Sequence, residues 1–559
     1  MGKLLSCRHI SFSYRNALNP ALERVDFSMD PKEFVGIAGP TGAGKTTLVR
    51  CASGIVPKFY KGRFSGEVFV KGRTIAHQRV VDLAGTVGTV FQDFDAQLFS
   101  TSVRREMAFG MENLRMERET MVRRIDEVSG LVGLRDVMER EPQNLSGGQK
   151  QRLALASVLC LAPDLLLCDE PTTDLDPAGK AELVEILDRL VTSGGSVGIV
   201  EHDTERLIRT HRVVILDSGR VVAQGPPLEI LSDPGFCMLQ GLFPPQLFEL
   251  FSLLELRARP RSVEEAKQTL DREGFRVRDD FQLDPIGLQA IDPPLISAED
   301  VHFSYQPDTP VLKGISVSIG AGDFVCLLGQ NGSGKTTLAK HFNAHLKPTS
   351  GRVWFSGRSV HELGPGEMGR HIGYVPQNPD QMLFASTVFE EVAFGLRNFR
   401  IPEKEIPQKV SGTLEAVGLA GQESVDPFVM TKGNRQKLAV AAVLACEPEM
   451  LILDEPTTGL DAKEQMAMMD LLAQLNRAGH TILIITHSVR VASAYARRVI
   501  LMESGRVLGD GGPREIFGNP ELLSRTGLVA PPCVRLGRTY GLSVLTVAEL
   551  ARAIGRRGS

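Results

Sequence analysis

The feature that most limits what this chain can fold into is that it is written twice. Gly39-Pro40-Thr41-Gly42-Ala43-Gly44-Lys45-Thr46-Thr47 recurs as Gly329-Gln330-Asn331-Gly332-Ser333-Gly334-Lys335-Thr336-Thr337, an offset of 290 residues. Leu167-Cys168-Asp169-Glu170-Pro171-Thr172-Thr173 recurs as Ile452-Leu453-Asp454-Glu455-Pro456-Thr457-Thr458, an offset of 285 residues. The difference lies in Ile55–Ser65, which is shortened around Leu346–Ser350. So long a period is far from that of a stacking solenoid, so each copy is a complete domain. The ends also correspond, Gly241–Pro245 resembling Gly527–Pro532. The expected boundaries are a first domain over 1–240 with a tail over 241–278, a linker over 279–295, a second domain over 296–526 and a tail over 527–559. Asp279, Asp280, Pro285 and Asp292-Pro293-Pro294 interrupt any regular pattern at the join.

Within each copy short apolar runs, such as Phe34–Ala38, Leu165–Cys168 and Val197–Val200, alternate with helical stretches. Runs that are apolar throughout suit strands covered on both faces, as in a parallel sheet. The expected class is α/β, with functional groups gathered at the carboxyl ends of the strands. Net charge is −4, so no global field draws the chain to nucleic acid. The eight cysteines are scattered without a C-x-x-C pair, which favours buried thiols over a zinc site or a disulfide framework. No apolar run approaches the ~18–20 residues of a spanning helix. The expectation is an intracellular chain whose membrane contact goes through a partner.

Gly39–Thr46 and Gly329–Thr336 both fit G-x-x-x-x-G-K-[ST] between an apolar strand and a helix. Glycines let backbone N–H groups wrap phosphates, and the helix N-terminus adds a favourable dipole. Lys45 and Lys335 are expected to reach the β- and γ-phosphates, and Thr46 and Thr336 to hold Mg²⁺. Asp169 and Asp454 end apolar strands, where a carboxylate meets that ion. Glu170 and Glu455, one residue later, suit a base that polarises the attacking water.

With these residues in place, Leu145-Ser146-Gly147-Gly148-Gln149 resembles the signature motif of ATP-binding cassette proteins. The resemblance covers nearly all of both halves. It implies two cassettes in tandem, each with a mostly parallel sheet core, an antiparallel β subdomain, a helical subdomain and a short helical tail. It also implies Gln92 and Gln377 as lid glutamines near the metal, His202 and His487 as sensors of the γ-phosphate, and Tyr14 and Tyr305 as the aromatics that stack on adenine. The family's mechanism would close the two cassettes head to tail, each ATP lying between one phosphate loop and the other half's signature.

The second signature departs from the pattern. Met430-Thr431-Lys432-Gly433-Asn434 stands over Leu145–Gln149, so Thr431 keeps the hydroxyl, Gly433 the second glycine, and Lys432 replaces a glycine where backbone should approach phosphate closely. Two readings stand: the set Lys45, Thr46, Gln92, Asp169, Glu170 and His202, which would meet this altered signature, mainly binds ATP, or Lys432 acts as a cationic finger that preserves hydrolysis.

The stretches Gln92-Asp93-Phe94-Asp95-Ala96-Gln97-Leu98-Phe99 and Gln377-Asn378-Pro379-Asp380-Gln381-Met382-Leu383-Phe384, each followed by an Ala-Phe-Gly triplet, look like the lid segment of energy-coupling factor importers. In the first copy Phe94 replaces the expected proline; in the second Met382 replaces a glutamine. That resemblance implies a peripheral ATPase on the cytoplasmic face of the membrane. Its partners would be a transmembrane scaffold protein and a substrate-binding membrane protein, with no nucleic acid. Leu98-Phe99 and Leu383-Phe384 are then docking contacts or ordinary core. A sugar-importer ATPase and a ribosome-associated cassette protein are the alternatives; against the latter, the join is short and acidic. Lys58-Phe59-Tyr60-Lys61-Gly62-Arg63 reads as a solvated loop.

Overall fold

The computed structural model describes residues 2–15, 17, 19–173, 175–283 and 293–556. The chain divides into two compact units, Met1–Glu249 and Leu250–Ser559. Most of the expected linker, 284–292, lies outside the described residues.

In the first unit the central sheet has six strands in the order Arg220–Gly225, Arg212–Asp217, Phe34–Ala38, Ser196–Val200, Leu165–Asp169, Val87–Val90. All neighbours are parallel except the first pair. Phe34–Ala38, Leu165–Asp169 and Ser196–Val200 are buried at every position, as their apolar runs require, with the polar Asp169 and Ser196 buried at their ends. A second sheet, antiparallel and four-stranded, runs Leu22–Met29, Leu5–Tyr14, Gly62–Val70, Arg73–Thr74. It shares one core with the central sheet, including Leu5, Phe12, Leu48, Leu165 and Leu216. The helices Val103–Asn113, Arg118–Leu131 and Gly147–Leu159 close a separate core around Met107, Met111, Val128 and Leu153.

The second unit repeats this plan. Its central sheet runs Ile372–Val375, Met450–Asp454, Thr481–Thr486, Phe324–Gly329, Arg498–Glu503, Arg506–Gly511, and its antiparallel sheet is again four-stranded. It also contains chain that follows the first nucleotide machinery. The strand Phe275–Val277 pairs antiparallel with Ile554–Arg556 near the end of the chain. The helix Val263–Arg272 packs on Pro532–Thr539, with Lys267 Nζ 4.2 Å over the Tyr540 ring and Tyr540 Oη donating to Asp271 at 3.2 Å. Of the tail expected over 241–278, residues 241–249 therefore sit with the first unit and 250–277 fold with the second. All eight cysteines are free, and all but the half-buried Cys446 are buried. Among the described residues no helix is long and apolar enough to cross a membrane.

Candidate functional site

Every candidate group but the signature and the two tyrosines, which lie on the antiparallel sheets, sits at or just past the carboxyl end of a central strand, where a parallel sheet places its ligands. In the first unit Gly39 follows Phe34–Ala38 and opens the loop into the helix Lys45–Ala52. Gly39 (φ 140°) and Gly44 (φ 98°) hold backbone angles that side chains avoid, and a Cβ on either would collide with a carbonyl, of Leu216 and Ala21 respectively. Gly329 and Gly334 repeat these angles in the second unit. Lys45 Nζ is folded onto its own loop, donating to Gly39 O at 3.0 Å and Pro40 O at 2.8 Å; Lys335 does the same to Gly329 O at 2.9 Å and Gln330 O at 2.8 Å. Each ammonium waits in the loop a phosphate would occupy. Ser333 Oγ, in the second loop, is buried and makes no hydrogen bond among the described residues, leaving a donor for an incoming oxygen.

Thr46 Oγ1 donates to Asp169 Oδ1 at 3.1 Å, and Thr336 Oγ1 to Asp454 Oδ2 at 2.7 Å. Burial pushes the Asp169 pKa up to about 6, against the pull of the Thr46 hydroxyl, and the neighbouring Glu170 adds to the rise. Asp454 is raised for the same first cause. A hydroxyl and a buried, poorly stabilised carboxylate are hard oxygen donors in want of a cation, which suits Mg²⁺. Tyr374 Oη also donates to Asp454, at 3.3 Å. The first copy has Thr89 at that place, and no sequence motif marks the difference.

Glu170 (φ 48°) and Glu455 (φ 49°) sit in the left-handed region, strain of order 1–3 kcal/mol that a functional turn retains. Glu170 accepts from Gln92 Nε2 at 3.0 Å and Thr173 Oγ1 at 3.1 Å, and its Oε1 meets His202 Nε2 at 3.0 Å. Burial alone would raise its pKa; the bond and charge of His202, with Lys45, outweigh it and hold the group at about 2. Glu455 is approached differently, by His487 Nδ1 at 2.8 Å, Thr458 Oγ1 at 3.3 Å and Thr486 Oγ1 at 3.4 Å. The structure thus brings phosphate loop, acid pair and histidine together in each unit, and Gln92 joins the set in the first.

The signature residues are placed by helix capping. Ser146 caps Gly147–Leu159: its Oγ accepts from Gln149 N at 3.3 Å while Gln149 Oε1 accepts from Ser146 N at 3.0 Å. Thr431 caps Lys432–Leu444, accepting from Asn434 N at 3.3 Å, but the shorter Asn434 returns no bond. Gly147 is exposed and Gly148 half-buried, whereas Gly433 is buried against Glu464, and the Lys432 chain lies over Gly459 of its own unit. Tyr14 Oη meets Thr47 Oγ1 at 3.1 Å and Tyr305 Oη meets Thr337 Oγ1 at 3.4 Å, so each aromatic stands beside its phosphate loop.

In the lid segments the apolar pairs split. Leu383 is buried and Leu98, partly buried, packs on the helical core, which puts both with the ordinary-core alternative. Phe99 and Phe384 are 63% and 60% exposed and stand edge-on to Phe109 and Phe394, at 4.5 and 4.7 Å between ring centres. A buried glutamate fixes each: Glu106 accepts from Phe99 N at 3.1 Å and Ser100 N at 2.7 Å, and Glu391 from Phe384 N at 2.9 Å and Ala385 N at 2.7 Å. Sequence reading passed over both glutamates. Phe394 lines a groove of about 400 Å³ with Tyr374, Met382 and Cys446.

A family model described as ABC transporter matches residues 22–173 and 312–458. A protein named "Putative ABC transporter ATP-binding protein" from Caldanaerobacter subterraneus subsp. tengcongensis is 40% identical over 564 residues, covering 99% of both chains. One of the same description from Methanosarcina mazei is 36% identical, covering 98% of this chain and 96% of its own. A solved structure of cbiO1 from Clostridium perfringens, part of the ABC transporter complex cbiONQ, is 35% identical with a TM-score of 0.39, covering 44% of this chain and 99% of that one. The chain belongs to the ATP-binding proteins of ABC transporters, as a tandem ATPase that carries two nucleotide-binding domains.

Proposed function

We propose that this chain is the paired ATPase of an energy-coupling factor importer, seated on the inner face of the membrane and driving uptake through a multi-helix scaffold protein and a separate solute-binding membrane protein. The observation that carries the reading is the repeated aromatic pair on the lid segments, Phe99 with Phe109 and Phe384 with Phe394. Two exposed phenylalanines per unit, pinned by a buried carboxylate, are costly to leave in water and suit an apolar helix from a partner. Their segments begin at Gln92 and Gln377, so a shift of the partner would be felt at the nucleotide.

At each site the lysine would leave its loop carbonyls for the β- and γ-phosphates. Thr46, Asp169 and Gln92, and Thr336, Asp454 and Gln377, would hold Mg²⁺, which when bound neutralises charge on the transferring phosphoryl group. Glu170 and Glu455 orient water, and the histidine bonded to each fixes the carboxylate's direction and reports on the γ-phosphate. Once Lys45 turns to phosphate, Glu170 loses one of the charges that hold its pKa down and becomes a better base.

Replacing Phe99 and Phe384 together by serine is expected to cut recovery of both membrane proteins at least tenfold when the tagged chain is purified from detergent-solubilised membranes. Undiminished recovery would overturn the docking role. Recovery of ribosomal proteins instead, with the chain absent from the membrane fraction, would overturn the importer.

A further inference from the structure

The two units differ most where the first copy carries extra residues. In the first unit Gly62–Val70 follows Leu5–Tyr14 to its end, through Ser11↔Ser65, Phe12↔Phe64, Ser13↔Arg63 and Tyr14↔Gly62. In the second unit the equivalent pairing stops at His302↔Ser350, short of Tyr305. The insertion carries the ladder to the tyrosine itself, and Arg15 N donates to Lys61 O at 3.2 Å just past it.

The loop that leads into this strand is exposed from Phe59 to Arg63, as a solvated loop should be, and it is also pinned at its start. Lys58 Nζ donates to Ile75 O at 3.0 Å and to Gln78 O, and Phe59 N donates to Ile55 O at 2.8 Å. It sets Tyr60 edge-on to Tyr14, ring centres 6.2 Å apart. Arg50 ties the two together, its guanidinium 4.3 Å over the Tyr60 ring and its Nη1 donating to Tyr14 Oη at 3.2 Å. In the second unit Lys340 stands in place of Arg50, and Tyr305, 59% exposed, has Phe303 and Thr337 as its neighbours.

We infer that the loop 55–63, lengthened in the first copy, is a second wall of the first unit's base pocket: Tyr60, held by Arg50, faces a purine ring set on Tyr14, and the first unit therefore releases nucleotide more slowly than the second. A purine lying flat on Tyr14 stands perpendicular to Tyr60, whose ring plane is 89° from that of Tyr14, so the two meet edge to face, a favoured aromatic geometry. The fixed ladder means little freedom is lost when the base arrives. Tyr60 is 42% exposed and so open to a ligand. The inference rests on reading Tyr14 as the base platform, and the test separates the two.

The measurement is release of methylanthraniloyl-ATP from the full chain carrying Lys335→Ala, so that the first site alone reports. Tyr60→Ala is expected to speed release about tenfold, Tyr60→Phe to leave it slow, and neither to change binding of inorganic triphosphate, which has no base. Release unchanged by Tyr60→Ala but accelerated by Tyr14→Ala overturns the wall. Release unchanged by both overturns the base site and the wall with it. Weakened triphosphate binding in Tyr60→Ala means the loop only shapes the phosphate site, which also overturns the proposal.

Discussion

Glu455→Gln is expected to leave less than about a tenth of the chain's ATP turnover, and Glu170→Gln more than about half. In the head-to-tail arrangement that the family resemblance implies, the nucleotide on Lys335 meets the intact signature from Ser146. In that arrangement the nucleotide on Lys45 would meet Thr431 and Lys432. The intact signature keeps its reciprocal cap and an exposed Gly147, so backbone can approach phosphate. The altered one has lost the return bond and puts a lysine stem where that approach would occur. Steady-state phosphate release from the two variants decides the matter. Equal losses would sink the asymmetry and favour Lys432 as a cationic finger, in which case Lys432→Gly would lower turnover further instead of raising it.

What the sequence made legible was whatever is local and repeated. The phosphate loops, the acid pairs and the histidines each occupy a few consecutive residues beside an apolar strand, and the second copy guards against coincidence. What it concealed depends on contacts distant in the chain or on direction within a pair. The pairing of Phe275–Val277 with Ile554–Arg556 joins two three-residue strands nearly half the chain apart, and neither has a period to detect. Leu98 and Phe99 are equally apolar on paper; only the backbone just past the short turn Asp95–Gln97 decides that one turns inward and the other out. Glu106 and Glu391 look like ordinary charges on a helix, yet both are buried and satisfy two backbone donors apiece. The insertion at Ile55 was visible as a length difference, but its consequence needed the ladder to Tyr14.

Asp169→Asn should melt about 8 °C above the parent chain at pH 7 while its ATP turnover collapses, separating stability from function at one atom. Burial lifts the Asp169 pKa from 3.8 to about 6, so the folded unit holds this proton more tightly than the unfolded chain. Between those values the folded state binds a proton that the unfolded state has released, and stability falls as pH rises through the window. Above it the full penalty is present, on the order of 3 kcal/mol at about 1.4 kcal/mol per unit. Asparagine is isosteric, still accepts the Thr46 hydroxyl through Oδ1, and has no charge to desolvate. For a unit of this size ~3 kcal/mol is worth roughly 8 °C. The gain should shrink as the medium is acidified from pH 7 and vanish below about pH 4, where the carboxyl is protonated folded or unfolded. A lower melting temperature for the variant at pH 7, or a gain indifferent to acid, would show that Asp169 is not a strained charge. If the gain behaves as expected, the unit gives up stability to keep a bare carboxylate beside the phosphate loop, and only a bound cation returns it.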